Sequence, residues 1–250
     1  MRAKDTRQQV RPYVSGRHQG LLRDAIDQYA IPKPDYAIGD VGTTIYEIDG
    51  SQWRPLAEWS AAIASDWAYA RHADLAALFG DLDILRLQEP EKQNTYKLSY
   101  YAPPALDYAG LLGEMDARLR SRGISASLIW SIDEAADTGL LDVLPANATK
   151  RHAIEFLMER HEFDRAHTVF AGDSGNDLPV VASGTLQSVL VRNAHTAVIT
   201  AARRALMDRG ASQMLYVAQG GFLGMNGNYS AGVLEGLVHF RPEVAAWLRD

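Results

Sequence analysis

Three short polar clusters in this sequence carry side chains able to handle a phosphate ester. Gly172-Asp173-Ser174-Gly175-Asn176-Asp177 places two carboxylates four residues apart, directly after the apolar run Thr168-Val169-Phe170-Ala171. Carboxylate oxygens are hard ligands, and such a pair in a glycine-permitted turn suits magnesium. An Asx-rich turn with solvated aspartates is the competing reading. The position at the end of a strand favours the metal. Ser15-Gly16-Arg17 offers a hydroxyl and backbone N–H groups where a strand enters a helix, which suits a phosphate; the same residues also read as a plain helix cap. Asn147-Ala148-Thr149-Lys150 opens a helix with a lysine, which the helix dipole disfavours. A broken local rule can mark a functional site, and an ammonium there could neutralise a phosphoryl oxygen. On local context alone, a solvated surface lysine is the plainer account of Lys150.

The elements that must position these clusters alternate between strand and helix. A short strand over Arg11–Val14 leads into a helix with Leu21, Leu22, Ala25, Ile26 and Tyr29 at helical spacing, ended by Pro32 and Pro34. Tyr36-Ala37-Ile38 reads as a strand, Asp40-Val41-Gly42-Thr43 as a turn, Ile45-Tyr46 as extended chain and Asp49-Gly50 as a second turn. Residues 1–10 read as a polar helix end, and Trp53 to Leu78 as helical. From Ile84 the character changes. Strands around Leu85–Leu87, Lys97–Tyr101, Ser127–Trp130 and Leu140–Leu144, with a helix carrying Leu111, Leu112, Met115 and Leu119, describe a small inserted α/β lid. After Pro145 the alternation resumes, with a helix after Lys150 and strands at Thr168–Ala171, Ser188–Val191 and Met214–Val217. A glycine-rich loop and two closing helices end the chain. The expected domains are therefore a core over residues 1–79 and 147–250 and a lid over residues 80–146. Alternating strands and helices imply a parallel sheet covered on both faces, with ligands at the carboxyl ends of its strands.

Composition narrows the function classes. The 250 residues carry a formal net charge of −6 with 47% hydrophobic residues and no cysteine. An acidic balance gives no general attraction to nucleic acid or to anionic membranes, so an anionic ligand must be held locally. Thiolate catalysis and Cys-ligated zinc are excluded. No apolar run is long enough to span a bilayer, and the polar N-terminus does not read as a signal peptide. A cytoplasmic location is the expectation.

The clusters, taken in order, resemble the haloacid dehalogenase superfamily. Gly172–Asp177 looks like its fourth motif, Lys150 like the third-motif lysine and Ser15 like the second-motif hydroxyl. Within it, the chain resembles the sucrose-phosphate phosphatase family, including mannosylfructose-phosphate phosphatase. The likeness is carried by Pro34–Tyr36 through Val41–Tyr46, Lys97–Tyr101, Asp142–Pro145, Val191–Ala194 and Ala231–Gly236. The resemblance implies an α/β fold, a Rossmann-like parallel core with an inserted lid. It also implies a Mg²⁺-dependent phosphatase acting on a sugar phosphate, with a disaccharide phosphate expected. Ser15, Gly16, Arg17 and Asn176 would bind phosphate. Lys150 would hold the nucleophile and phosphate, and Asp173 and Asp177 would serve the metal and the chemistry. Gly42, Thr43, Gln93, Asn94 and Lys97 are the candidates for sugar contacts.

The family's first motif, an Asp-x-Asp-x-Thr that supplies the nucleophile, has no counterpart here. Only 14 residues precede Ser15, and Asp5-Thr6 follows no apolar strand. Asp81-Leu82-Asp83 mimics the spacing but has Leu85 where threonine belongs and lies after the second motif. Phosphate monoesters hydrolyse so slowly unaided that catalysis must supply up to ~10²¹-fold. The expectation is therefore a late start or a truncation. The alternative is a sugar-phosphate-binding module that has lost the nucleophile and partners a glycosyltransferase.

Overall fold

The computed structural model describes residues 10–104, 108–133, 136–246 and 248. The helix end expected over residues 1–10 lies, Val10 apart, outside them. Two compact units divide between Ala153 and Ile154.

In the first unit, β1 (Pro12–Val14) runs parallel to β2 (Tyr36–Gly39), with α1 (Gln19–Gln28) as the crossover. All four residues of β2 are buried, as a strand flanked on both edges requires. The helical stripe of α1 is narrower than its sequence suggests: Leu22 and Ile26 are buried, whereas Leu21 and Tyr29 are exposed. β3 (Thr44–Asp49) and β4 (Gln52–Pro55) form a hairpin closed by Gly50-Ser51, in which Gly50 has φ +62°. The left-handed backbone of such two-residue turns favours glycine. The helix expected from Trp53 therefore does not start there. Trp53 pairs across the hairpin with Ile48 and packs its ring on Tyr46, 5.6 Å between centroids. Helix resumes as α2 (Ala57–Ala64), passes through a 3₁₀ turn at Ser65–Trp67, and restarts as α3 (His72–Leu78). Ala68 and Tyr69, with φ +49° and +60°, make the break.

The lid sheet follows the order β5-β6-β8-β7 and is antiparallel throughout, with β5 (Arg86–Leu87), β6 (Leu98–Ala102), α4 (Tyr108–Ser121), β7 (Ala126–Asp133) and β8 (Thr138–Pro145). Side chains alternate between the faces of a strand, and the register sorts them cleanly. Leu98, Val143 and Leu128 line up across the sheet, as do Tyr100, Leu141 and Trp130. That face packs with Leu111, Met115 and Leu119 of α4 and Leu75 of α3 into the lid core. The opposite face aligns Ser99, Asp142 and Ile129 and is polar.

In the second unit, β9 (Val169–Gly172), β10 (Gln187–Leu190) and β11 (Leu215–Val217) form a parallel sheet with β10 central. α5 (Lys150–Arg160) leads into it. α6 (Leu178–Val181), α7 (Thr196–Asp208) and α8 (Tyr229–Phe240) follow. α8 lies close on β10: a Cβ at Gly236 would fall 2.3 Å from the Val189 side chain. Of the two closing helices expected, the second is a short 3₁₀ segment, Pro242–Ala246. Among the described residues no helix is long and apolar enough to cross a membrane.

Candidate active site

The loop after β1 is drawn onto the end of β2. Ser15 donates its N–H to the Ile38 carbonyl, and Asp40 donates its own to the Arg17 carbonyl, each at 2.9 Å. The Ser15 hydroxyl accepts from the Arg17 N–H at 3.1 Å. α1 then starts at His18 with no side-chain cap and no acid in its first turn. Among the described residues, therefore, the N-cap side chain does not satisfy its leading N–H groups, a condition that favours an anion.

The turn from Asp40 to Thr43 brings this loop to the start of α5. Asp40, Val41 and Gly42 have φ of +51°, +63° and +110°. Asp40 and Val41, which carry side chains, cost of the order of 1–3 kcal/mol each in this conformation, whereas Gly42 adopts it freely. The strain is held by contacts on both sides. The Trp59 indole donates to the Gly42 carbonyl at 3.1 Å. A Cβ at Gly42 would lie 2.4 Å from the Thr149 carbonyl carbon and 2.6 Å from the Lys150 nitrogen. The structure thus brings Ser15–Arg17, Gly42–Thr43 and Lys150 to one place. Lys150 is only 6% exposed, which removes the solvated-lysine account. A basic residue in a first helical turn has no electrostatic reason to be buried unless it has an anionic partner.

The lid residues singled out for sugar contact are committed to the protein itself. Gln93 acts as a strand: its amide donates to the carbonyls of Ser99 (2.8 Å) and Gln88 (3.1 Å), and its oxygen accepts from the Ser99 N–H at 2.8 Å. Asn94 donates to the Thr43 hydroxyl at 2.9 Å and accepts from the Tyr96 N–H at 2.8 Å. It thereby ties the lid to the Asp40–Thr43 turn. Lys97 is 8% exposed. Its ammonium donates to the Ser99 hydroxyl (2.7 Å) and the Lys92 carbonyl (2.9 Å) and pairs with Asp142 at 3.2 Å. Three acceptors use the three protons that an ammonium offers.

Two carboxylates on this face went unnoticed in the sequence. Asp142 faces Lys97 because it alternates with Leu141 and Val143, and that alternation was the available signal. Asp40 is 5% exposed. Burial pushes its carboxyl above the usual range, while Lys97, His18, and hydrogen bonding from Asn94 and Thr44 pull it back. Nothing in its spacing distinguishes it from an ordinary turn aspartate.

In the second unit, the turn after β9 is organised by Asp177. Its Oδ2 accepts from the N–H groups of Asp173 (3.1 Å) and Ser174 (3.2 Å) and from the Ser174 hydroxyl (3.0 Å). Asp177 is buried, whereas Asp173 and Asn176 are exposed. Gly172 is required here, since a Cβ would meet the Asp177 carboxylate at 2.6 Å. Among the described residues no three His, Cys, Asp or Glu side chains gather into a complete metal site. The donor set still fits magnesium, which keeps several waters and commonly takes one or two carboxylates. Asp173 offers an exposed hard oxygen ligand, and Asp177 fixes the loop that presents it. A second network holds the glycine-rich loop before α8. Glu235 accepts from the Tyr216 hydroxyl (2.8 Å) and from the N–H groups of Gln219 (2.7 Å) and Gly220 (2.9 Å).

Residues 1–241 match the model of the sucrose-6F-phosphate phosphohydrolase family. The chain is 61% identical over 236 residues to a “Putative HAD-like hydrolase” of Nitrosococcus oceani, covering 94% of this chain and 63% of that protein. It is 28% identical over 188 residues to the mannosylfructose-phosphate phosphatase of Agrobacterium fabrum, covering 74% of this chain and 71% of that protein. Among solved structures, the sucrose-phosphatase of Synechocystis sp. PCC6803, in complex with sucrose and phosphate, superposes with a TM-score of 0.69 at 25% identity, over 92% of this chain and 84% of that one. The chain thus spans less than two thirds of the length of its 61%-identical relative.

Proposed function

Because the chain belongs to the sucrose-6F-phosphate phosphohydrolase family and has its haloacid-dehalogenase fold, we propose that it serves magnesium-dependent hydrolysis of a sugar phosphate, with a disaccharide phosphate as substrate. The observation that carries this reading is the buried Lys150 at the head of α5, packed on the strained Gly42 turn beside Ser15–Arg17. A buried ammonium at the head of a helix is well placed to neutralise a phosphoryl group. In this reading, Ser15, Gly16, Arg17 and the leading N–H groups of α1 bind the phosphoryl oxygens. Lys150 neutralises their charge, and Asn176 is a phosphate-binding candidate of the second unit. Asp173 ligates magnesium, and Asp177 holds the Asp173 loop. The bound metal would supply charge neutralisation at the phosphate. Residues 80–146 act as the lid on a core formed by residues 1–79 and 147–250. Lid closure excludes water from the site. Gln93, Asn94 and Lys97 shape the sugar end through their own network, and Gly42 and Thr43 form its wall. A cytoplasmic site of action belongs to the same proposal.

A second proposal is a module that binds a sugar phosphate without turning it over, beside a glycosyltransferase.

One preparation separates the two. Phosphate release from sucrose-6F-phosphate and mannosylfructose phosphate is followed with and without magnesium, and binding of both is followed by calorimetry. Magnesium-dependent release supports the enzyme, and binding without release supports the module. Absence of both removes either reading. Asp173→Ala abolishes the magnesium dependence with no loss of thermal stability, because its side chain is exposed. Asp177→Ala loses both, because three hydrogen bonds end on one of its oxygens.

A further inference from the structure

The lid sheet ends in two strands that treat their open edges differently. β5 is two residues long and carries Arg86, whose guanidinium lies 4.5 Å from the centroid of the Tyr101 ring. A short, charged edge is how sheets discourage pairing with another chain. β7 is eight residues long and pairs with β8 along its whole length, from Ala126↔Pro145 to Asp133↔Thr138. Among the described residues, no strand or loop pairs with its other side. From Ala126 to Ile132 it has no charge, no proline and no glycine, and it is rich in β-branched and aromatic residues, which favour strand pairing. Ile129 and Ile132 are 37% and 51% exposed. Their parity puts them on opposite faces of the sheet, so each side of the open edge carries an exposed isoleucine, Ile129 among Ser127 and Ser131 on the polar face. On the helix face the strip continues into Tyr108 of α4, itself 47% exposed and stacked on Trp130 at 5.3 Å.

We propose that the β7 edge is an interaction surface whose occupant is the β7 edge of a second copy of this chain, joined antiparallel about a two-fold axis. An antiparallel strand edge is its own complement in hydrogen bonding, and an uncharged strand meets no like charge in its copy. The flanks complete the match. Exposed Arg122 precedes the strand, and Asp133 and exposed Asp137 end and follow it. Antiparallel pairing therefore brings the basic end of one copy to the acidic end of the other, whereas a parallel arrangement would set like against like. A two-fold contact is closed, so the product is a dimer and not a fibre. Two four-stranded lid sheets become one continuous sheet, and the liability of a long apolar edge disappears.

Sedimentation velocity of the protein should show a reversible, concentration-dependent dimer of twice the chain mass. The double variant Ile129→Lys/Ile132→Lys should sediment as a monomer with an unchanged circular dichroism spectrum, since both side chains already face solvent. The chain has no cysteine, so Ser131→Cys supplies a single reactive site on the same edge. A short bis-maleimide should link it into dimers at concentrations where sedimentation shows dimer, and should fail to do so when the two lysines are also present. A wild-type monomer at the concentrations of small-angle scattering, a dimer that survives both lysines, or open-ended polymers would each overturn the assignment. None of these outcomes depends on whether the chain is a phosphatase.

Discussion

Gly42→Ala tests whether the strained turn and the buried lysine form one unit. At φ +110° an L-residue sits outside the ordinary left-handed well, at a cost of about 1–3 kcal/mol. Its methyl would also occupy space within 2.4–2.6 Å of backbone atoms of Thr149 and Lys150. Those atoms open a helix and cannot rotate away as a flexible side chain can. Overpacking of this kind costs a further ~1–3 kcal/mol. Together the expected loss is about 4 kcal/mol, or roughly 8–16 °C in Tm for a chain of this size. Gly50→Ala is the control. It sits at φ +62° with nothing within 4 Å of the added methyl, so it carries only the backbone penalty of about 1–2 kcal/mol. Urea unfolding monitored by circular dichroism and by tryptophan emission compares the two variants, each with and without inorganic phosphate. The added phosphate should stabilise the wild type and Gly50→Ala, and Gly42→Ala far less, because the displaced turn no longer seats Lys150. Equal losses for the two alanines, with phosphate stabilisation intact in both, would refute the coupling.

Two further perturbations probe the networks around the site. Lys97→Met leaves the Asp142 carboxylate without its ammonium at a largely covered position (side-chain exposure 20%) and should cost about 3–5 kcal/mol in urea unfolding. The pair variant Lys97→Met/Asp142→Leu should recover much of that, since replacing a buried pair with apolar residues is often neutral or better; no recovery would mean that the pair itself contributes net stability. Glu235 is buried, which raises its pKa, yet the Gln219 N–H, the Tyr216 hydroxyl, the Gly220 N–H and the Arg192 charge outweigh burial and hold it below the usual carboxylate range. A folded pKa below the unfolded one contributes stability that is present above the unfolded value near 4.5 and is lost as pH falls through the folded value. Acid unfolding of Glu235→Gln should therefore lack that part of the pH dependence, and an unchanged acid limb would exclude Glu235 as its source.

Local chemistry made much of this fold legible. The alternation of Leu98, Tyr100, Leu141 and Val143 gave the lid strands, and Asp49-Gly50 gave the hairpin turn. Legibility failed where distant contacts outvoted local pattern. Trp53 continues a helical spacing toward Leu56 and Trp59, but cross-strand packing on Tyr46 holds it in a hairpin. Ala68 and Tyr69 break a helix with left-handed backbone, although neither residue type signals one. Lys150 stands out in the sequence by the local rule it breaks, and Asp173 by its place after an apolar strand. Asp40 does not, because a turn aspartate is common and only the folded chain brings the lid's Asn94 and Lys97 against it.

The sites where sequence reasoning ran out are also those where the protein tolerates the largest local costs. Asp40, Val41 and Gly42 hold three left-handed conformations in a row. Asp40 keeps a carboxylate that burial disfavours, and Lys97 and Asp142 are ionised groups taken largely out of water. The backbone strain at Asp40 and Val41 could be relieved by glycine, and the buried charges by apolar or amide side chains. They sit on one turn and one lid face rather than scattered through the unit, and Asn94 links the two through Thr43. A fold under selection for stability alone would have no reason to gather such costs in one place. Their concentration on and against the turn that packs on Lys150 fits the binding site proposed above. That makes the Asp40–Thr43 turn the part of the first unit where substitutions that raise stability should most often lower ligand affinity.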